Sequence, residues 1–183
     1  KSKVSNQPNH KIEHLKRQLN SNELFKLLSI ENFIYAPTLF IKKDVFIKYG
    51  PFDETIRLCE DYPFLLKLTR CGVSLYFINE VLVKYRLLTN SATQRKIDQI
   101  FNYSKQDVVI KRKYVYPYVS LLNKILMYSE YLVKNILHEI LNVNNKKCVN
   151  IIICKFLLFP YAKYKQAMTK KILYNNKTID NYK

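Results

Sequence analysis

The sequence predicts an α/β fold class, in which a partial mixed layer of strands and helices is followed by a C-terminal helical region. The apolar run 38–41 and the extended segments 73–78 and 81–87 are typical of strands. A helix-compatible stretch at 62–71 lies between them and ends at a glycine. Beyond residue 119, apolar residues recur at the helical period. A mixed layer and a helical region together account for these patterns.

Residues 1–31 are expected to form a linker and short helices. The polar start at 1–10 contains Pro8 and predicts a loop. Apolar spacing over 12–30 indicates one or two helices with a break near residues 20–22, where Ser21 is a candidate cap. A further short helix is predicted from Asp44, as its cap, to Tyr49, before Gly50.

The paired acids Glu60 and Asp61 directly precede the helix predicted at 62–71. One interpretation is capping, because Asp61 can accept a hydrogen bond from the N–H two residues on and Pro63 suits a first helical turn. The other is chemistry, because adjacent carboxylates at one helix start are suited to bind or move a proton. The roles are compatible, since the helix dipole is expected to hold Asp61 ionised.

Residues 94–183 form a basic, mostly helical region in this prediction. A lysine-rich helix extends to about Tyr114 and is interrupted by Tyr116-Pro117. A second helix over 119–141 has a broad apolar face that requires a partner surface. The apolar segment 148–161 is shorter than the ~20 residues that span a bilayer. Contact with a membrane surface and ordinary packing both remain open for this segment.

The composition indicates a folded, basic chain. Its 183 residues are 48% hydrophobic, and its formal net charge of +17 predicts attraction to anionic partners such as phospholipid or nucleotide phosphates. Lysine outnumbers arginine, which suits membrane surfaces better than readout of nucleic acid bases. The four cysteines lack C-x-x-C spacing and a nearby histidine pair, so a zinc site is not expected.

An ordered set of short motifs covers residues 32–93. In chain order these are Ala36-Pro37-Thr38, Lys43-Asp44-Val45-Phe46, Tyr49-Gly50-Pro51-Phe52-Asp53-Glu54, Glu60-Asp61-Tyr62-Pro63-Phe64-Leu65-Leu66-Lys67-Leu68, Gly72, and Val83-Lys84-Tyr85-Arg86 with Asn90-Ser91. The set resembles the acceptor-side half of family 2 glycosyltransferases, inverting enzymes with the GT-A fold. The resemblance implies that 32–93 is part of a catalytic domain, with residues 1–31 before it and 94–183 after it.

The resemblance implies that Asp61 is the general base that deprotonates the acceptor hydroxyl, and that Glu60 lies in the acceptor site. Further residues match family positions, each with a structural alternative. Tyr62 lines the sugar site or packs in the core, and Arg86 faces the donor phosphates or is a solvated strand residue. Asp53 and Glu54 lie near the acceptor site, with closure of a turn as their main expected role.

Two departures from the family pattern limit the expected activity. Leu88 stands where members commonly have histidine, and no Asp-x-Asp occurs in the chain. The resemblance implies that such a motif holds Mn²⁺ or Mg²⁺ against the donor diphosphate in the intact enzyme. This chain is therefore expected to be a fragment that binds no metal and is inactive alone.

The expected partners are a nucleotide-sugar donor and a polysaccharide or lipid-linked acceptor. The expected location is cytoplasmic, with peripheral contact at the anionic inner membrane face as a further expectation. Two noncatalytic alternatives remain. One is a helical protein on a membrane surface; the other is a basic module that binds nucleic acid, which the even spread of basic residues disfavours.

Overall fold

The computed structural model describes residues 19–57, 59–78, 80–84, 97–144 and 162–172. The chain divides into two compact units, Lys1–Gln94 and Arg95–Lys183. Helices account for 65% of the described residues, and none of these residues lies in a β-strand. The predicted α/β class, a GT-A-like mixed layer, is therefore wrong for the part of the chain that the structure describes.

The first unit contains three helices, α1 (Ser21–Ile30), α2 (Lys43–Tyr49) and α3 (Asp61–Arg70). Helices α1 and α3 pack against each other. Their apolar faces form the core, whose large hydrophobic members are Leu24, Phe25, Leu27, Leu28, Ile30, Tyr62, Phe64, Leu65, Leu66 and Leu68. Burial of these side chains is the main favourable term that holds the two helices together.

Helix α1 begins at Ser21, the residue predicted to be its cap. Asn20, not Ser21, is the N-cap. Its Oδ1 accepts a hydrogen bond of 3.0 Å from the N–H of Glu23, and the Glu23 carboxylate accepts one of 3.0 Å from the N–H of Asn20. This reciprocal capping box satisfies two amides that the helix leaves without partners. Helix α2 begins before the predicted cap Asp44, with Lys42 at the N-cap position.

The predicted strands are not strands in the structure. Residues Ala36–Thr38 form a 3-10 turn with Pro37 in its first positions, and Phe40 after it is 94% exposed. Segments 73–78 and 80–84 run without regular structure, and most of their side chains are exposed. A strand requires a neighbouring strand to complete its hydrogen bonds, and the described residues supply none here. Residues 85–87 of the last predicted strand lie outside the described residues.

A cluster of three phenylalanines joins α2 to α3. The Phe46 ring stacks on the Phe64 ring with centroids 4.9 Å apart, and Phe52 meets both rings edge-on. Gly50 ends α2 with φ of 80°, a left-handed conformation that suits glycine, and its N–H bonds the Phe46 carbonyl at 2.8 Å. The Lys67 ammonium donates to the Tyr49 carbonyl. These contacts fix the loop that leads towards α3.

The second unit contains α4 (Ile97–Tyr114), a 3-10 turn (Tyr116–Tyr118), α5 (Leu121–Asn144) and α6 (162–172). The two predicted helices and the interruption at Tyr116-Pro117 are confirmed. Helices α4 and α5 pack against each other. Among the described helices, none combines the length and apolar character that crossing a membrane requires. The predicted apolar segment 148–161 lies outside the described residues.

Candidate functional site

The paired acids lie at the start of α3 with opposite exposure. Glu60 is exposed and occupies the N-cap position, but its side chain makes no capping hydrogen bond. Asp61 is the first helical residue and is 8% exposed. The predicted cap is wrong, because the residue two positions after Asp61 is Pro63, which has no N–H to donate. The pair therefore offers one buried and one exposed carboxylate.

Burial raises the pKa of the Asp61 carboxyl above its ordinary value of 3.8. The charge of Glu60 acts in the same direction, because two adjacent negative charges repel. Hydrogen bonds from the amides of Asp61 and Tyr62 and from the Asn32 side chain lower the pKa in part. Loss of solvation thus outweighs the favourable amides, so the net shift in the pKa of Asp61 is opposite to the one expected from the helix dipole alone.

Asn32 contacts Asp61, the candidate base, and this contact was not predicted from the sequence. It follows the C-terminal end of α1, and its Oδ1 accepts a hydrogen bond of 3.2 Å from the N–H of Ile34. This bond orients the side-chain amide, which hydrogen-bonds Asp61. An asparagine that bonds the amide two residues on is a local turn signal. Its contact with Asp61 depends on the packing of α1 against α3.

Two residues beside Asp61 fix the backbone that carries it. Tyr62 is 2% exposed, and its hydroxyl donates a hydrogen bond of 2.5 Å to the carbonyl of Leu28 in α1. The structure thus places Tyr62 in the core between the two helices. Cys59 has φ of 59°, which is unusual for a residue other than glycine, and its carbonyl accepts a hydrogen bond of 3.0 Å from the Tyr62 N–H. A strained turn therefore leads directly into the acidic pair.

Asp53 closes a local turn. Its Oδ1 accepts hydrogen bonds from the N–H of Thr55 at 3.1 Å and from the Thr55 hydroxyl at 2.6 Å. Its carbonyl accepts a third, from the N–H of Ile56, at 3.0 Å. Glu54, in the same turn, is exposed. Arg86, the predicted contact for donor phosphates, lies outside the described residues.

The site is suited to proton transfer. A buried carboxylate with a raised pKa is a stronger base than an exposed one, and Asn32 and the backbone fix its position. The described residues contain no group of three or more His, Cys, Asp or Glu side chains that could hold a cation.

Comparison with known proteins indicates the class of protein. No protein-family model matches the chain, and no solved structure matches it. The chain is 36% identical over 80 residues to an uncharacterized glycosyltransferase of Rickettsia prowazekii (strain Madrid E), and to the same extent to an uncharacterized glycosyltransferase of Rickettsia typhi (strain ATCC VR-144 / Wilmington). Each match covers 44% of this chain and 24% of the relative. The chain is therefore related to glycosyltransferases, and it spans about a quarter of the length of these relatives.

Proposed function

We propose that this chain supplies the acceptor side of an inverting, family 2 type hexosyltransferase, with Asp61 as its general base. The observation that carries the proposal is the buried Asp61 carboxyl at the start of α3, which has a raised pKa and hydrogen-bonds Asn32. The relationship to glycosyltransferases and the ordered motifs of 32–93 support this assignment.

The proposed reaction moves one proton and exchanges one C–O bond for another. The acceptor hydroxyl oxygen attacks the anomeric carbon of the donor sugar from the face opposite the nucleotide. The bond to the nucleotide diphosphate breaks as the new glycosidic bond forms, and the hydroxyl proton passes to Asp61. The raised pKa of Asp61 increases its affinity for that proton. In this proposal, the exposed Glu60 carboxylate accepts hydrogen bonds from acceptor hydroxyls.

The donor in this proposal is a nucleotide-activated sugar, and the acceptor is a polysaccharide or a lipid-linked glycan on the cytoplasmic side. A divalent cation of the complete enzyme, Mn²⁺ or Mg²⁺, would bind outside the described residues, since these offer it no ligand cluster. Transfer by this chain alone is not expected.

Sugar transfer by the complete product of the encoding gene tests the base. Radiolabelled nucleotide sugars are supplied with membrane extracts as acceptors, and labelled glycan is counted. Asp61→Asn should lower the rate by about 100-fold or more, the usual contribution of a general base. Asp44→Asn is the matched control, because Asp44 is an exposed acid in the same unit and has no proposed role in the site. A rate for Asp61→Asn equal to that of Asp44→Asn would overturn the assignment.

The pH profile of the same reaction tests Asn32 as a positioning residue. The Asn32 side chain lowers the pKa of Asp61, so its removal should raise that pKa further. Because the base acts in its ionised form, Asn32→Ala should shift the acidic limb of the profile to higher pH. Asn32→Asp adds a second negative charge and should shift it in the same direction. If Asn32→Ala lowered the rate but left the acidic limb of the pH profile unchanged, the role of Asn32 would be merely structural.

A further inference from the structure

The outward face of α5 exposes five large aliphatic side chains. This α5 stripe consists of Leu121, Leu122, Ile125, Leu132 and Ile136, which are 43–72% exposed. At 3.6 residues per turn, these positions fall within a sector of about 100°. Met127 and Glu130 lie on the opposite side of the helix and are buried. Helix α5 is therefore apolar on the face that the described residues of its unit leave exposed.

The unit that carries the α5 stripe is strongly basic. Residues 95–183 contain 17 lysines and arginines against 5 aspartates and glutamates, a net charge of +12. Two of the acids are in ion pairs inside the unit, Asp107 with Lys111 at 2.8 Å and Glu130 with Lys165 at 3.5 Å. The unit therefore presents a positive field around an exposed apolar face.

These two properties select an anionic lipid surface as the partner. A second copy of the chain would bring two units of charge +12 together, which repel. Nucleic acid would satisfy the charge but offers no apolar phase for leucine and isoleucine side chains. A bilayer with anionic headgroups supplies both. We propose that the α5 stripe lies on the surface of an anionic membrane.

The geometry of α5 fits this position. Its 24 residues extend about 36 Å along a surface. Tyr118, in the turn before α5, is half exposed, and tyrosine is favoured where headgroups meet acyl chains. An apolar face on a basic unit is typical of helices that lie in the membrane interface. Binding of this kind weakens with salt, because the attraction to anionic lipid is screened.

A single introduced tryptophan tests the orientation, because the chain has no tryptophan of its own. Ile125→Trp places the probe in the α5 stripe, and Ile47→Trp places it at an exposed site in α2 of the other unit. With vesicles of phosphatidylglycerol and phosphatidylcholine, the fluorescence of Ile125→Trp should shift to the blue and be quenched by brominated lipid. Ile47→Trp should show neither effect. The same response at both sites, or at neither, would overturn the proposal.

Co-sedimentation with the same vesicles measures the contribution of the stripe. Ile125→Gln with Leu132→Gln should weaken binding by about tenfold or more, because two exposed apolar side chains no longer enter the interface. Ile47→Gln with Val81→Gln is the control, since both side chains are exposed and apolar but lie in the first unit. Melting temperatures of both variants should match that of the parent chain. Equal binding by the two variants would contradict the proposal.

Two further measurements separate this proposal from its competitors. Loss of a dimer in sedimentation velocity, without loss of vesicle binding, would assign the stripe to a second copy. Loss of binding to generic RNA in the stripe variant alone would assign it to nucleic acid. Asp61→Asn should bind vesicles as the parent does, because Asp61 lies in the other unit. The role of Asp61 as general base and the binding of the α5 stripe to membranes are thus tested independently of each other.

Discussion

The hydroxyl of Tyr62 donates a hydrogen bond of 2.5 Å to the carbonyl of Leu28. Helix α1 ends at Ile30, so the Leu28 carbonyl is among the last four of the helix, which lack helical donors. Tyr62, the residue that follows the candidate base, therefore supplies a hydrogen-bond donor to a carbonyl at the C-terminal end of α1. This bond ties the end of α1, and Asn32 just beyond it, to the start of α3.

Replacement of Tyr62 by phenylalanine should destabilise the first unit. The Leu28 carbonyl would remain buried without its donor, and an unsatisfied buried group costs about 1–3 kcal/mol. The ring itself would still fill its place in the core. The expected loss in the free energy of unfolding is measured by urea denaturation followed by circular dichroism.

The control for this change is Tyr35→Phe. The Tyr35 side chain is exposed, so loss of its hydroxyl should change the free energy of unfolding by less than about 0.5 kcal/mol. Equal stability of the two variants would mean that the bond between Tyr62 and Leu28 contributes nothing net.

The helices were predicted correctly from the sequence, whereas the predicted strands are absent from the described residues. Apolar periodicity identifies α3 and α5 because each helix buries one face against a neighbour. The apolar segments 38–41 and 73–78 carry the same local signal as a strand, but a strand also requires a partner in space. Sequence periodicity does not reveal whether that partner exists. In the structure, Thr38 ends a 3-10 turn, and the rest of both segments is irregular chain whose side chains are exposed or half buried.

The position of the acidic pair was predictable, and its electrostatics were not. Glu60 and Asp61 precede an apolar helix in the sequence, and they lie at the start of α3 in the structure. The pKa of Asp61 depends on burial between elements that are distant in the sequence, so the local helix dipole gave the wrong sign. Asn32 was missed for the same reason, because only the packing of α1 on α3 brings it to Asp61.

Because the turn at Cys59 is strained, we expect the stability of the chain to depend on the size of the side chain at this position. With φ of 59°, a residue with a Cβ atom pays about 1–2 kcal/mol relative to an extended conformation. Cys59→Gly removes this strain, and the greater freedom of glycine in the unfolded chain offsets about 0.4–1 kcal/mol of the gain. Thermal unfolding should therefore show a Cys59→Gly variant at least as stable as the parent.

The matched change at the same position is Cys59→Val. Valine is branched at Cβ and tolerates the left-handed conformation poorly, so this variant should lose about 1–2 kcal/mol. Both changes remove the thiol, so loss of the thiol does not account for a difference between them. Equal melting temperatures for the glycine and valine variants would show that the turn relaxes without penalty.

The buried carboxyl of Asp61 links stability to pH. Its pKa in the folded chain is raised above 3.8, so the folded state favours the protonated form. This contribution to stability is fully present below the pKa of the unfolded chain, and it is lost as the pH rises through the folded pKa. Above the folded pKa, the native chain therefore holds a carboxylate that its surroundings disfavour.

Asp61→Asn should consequently be more stable than the parent chain at neutral pH, because the amide is neutral at every pH and similar in shape. The difference in the free energy of unfolding should shrink as the pH falls towards 3.8, where the native carboxyl becomes neutral as well. Urea denaturation at a series of pH values measures this difference. Asp44→Asn, at an exposed acid in α2, is the control and should show no such gain. A less stable Asp61→Asn variant at neutral pH would show that the amides and Asn32 outweigh burial, and that the carboxylate is held ionised.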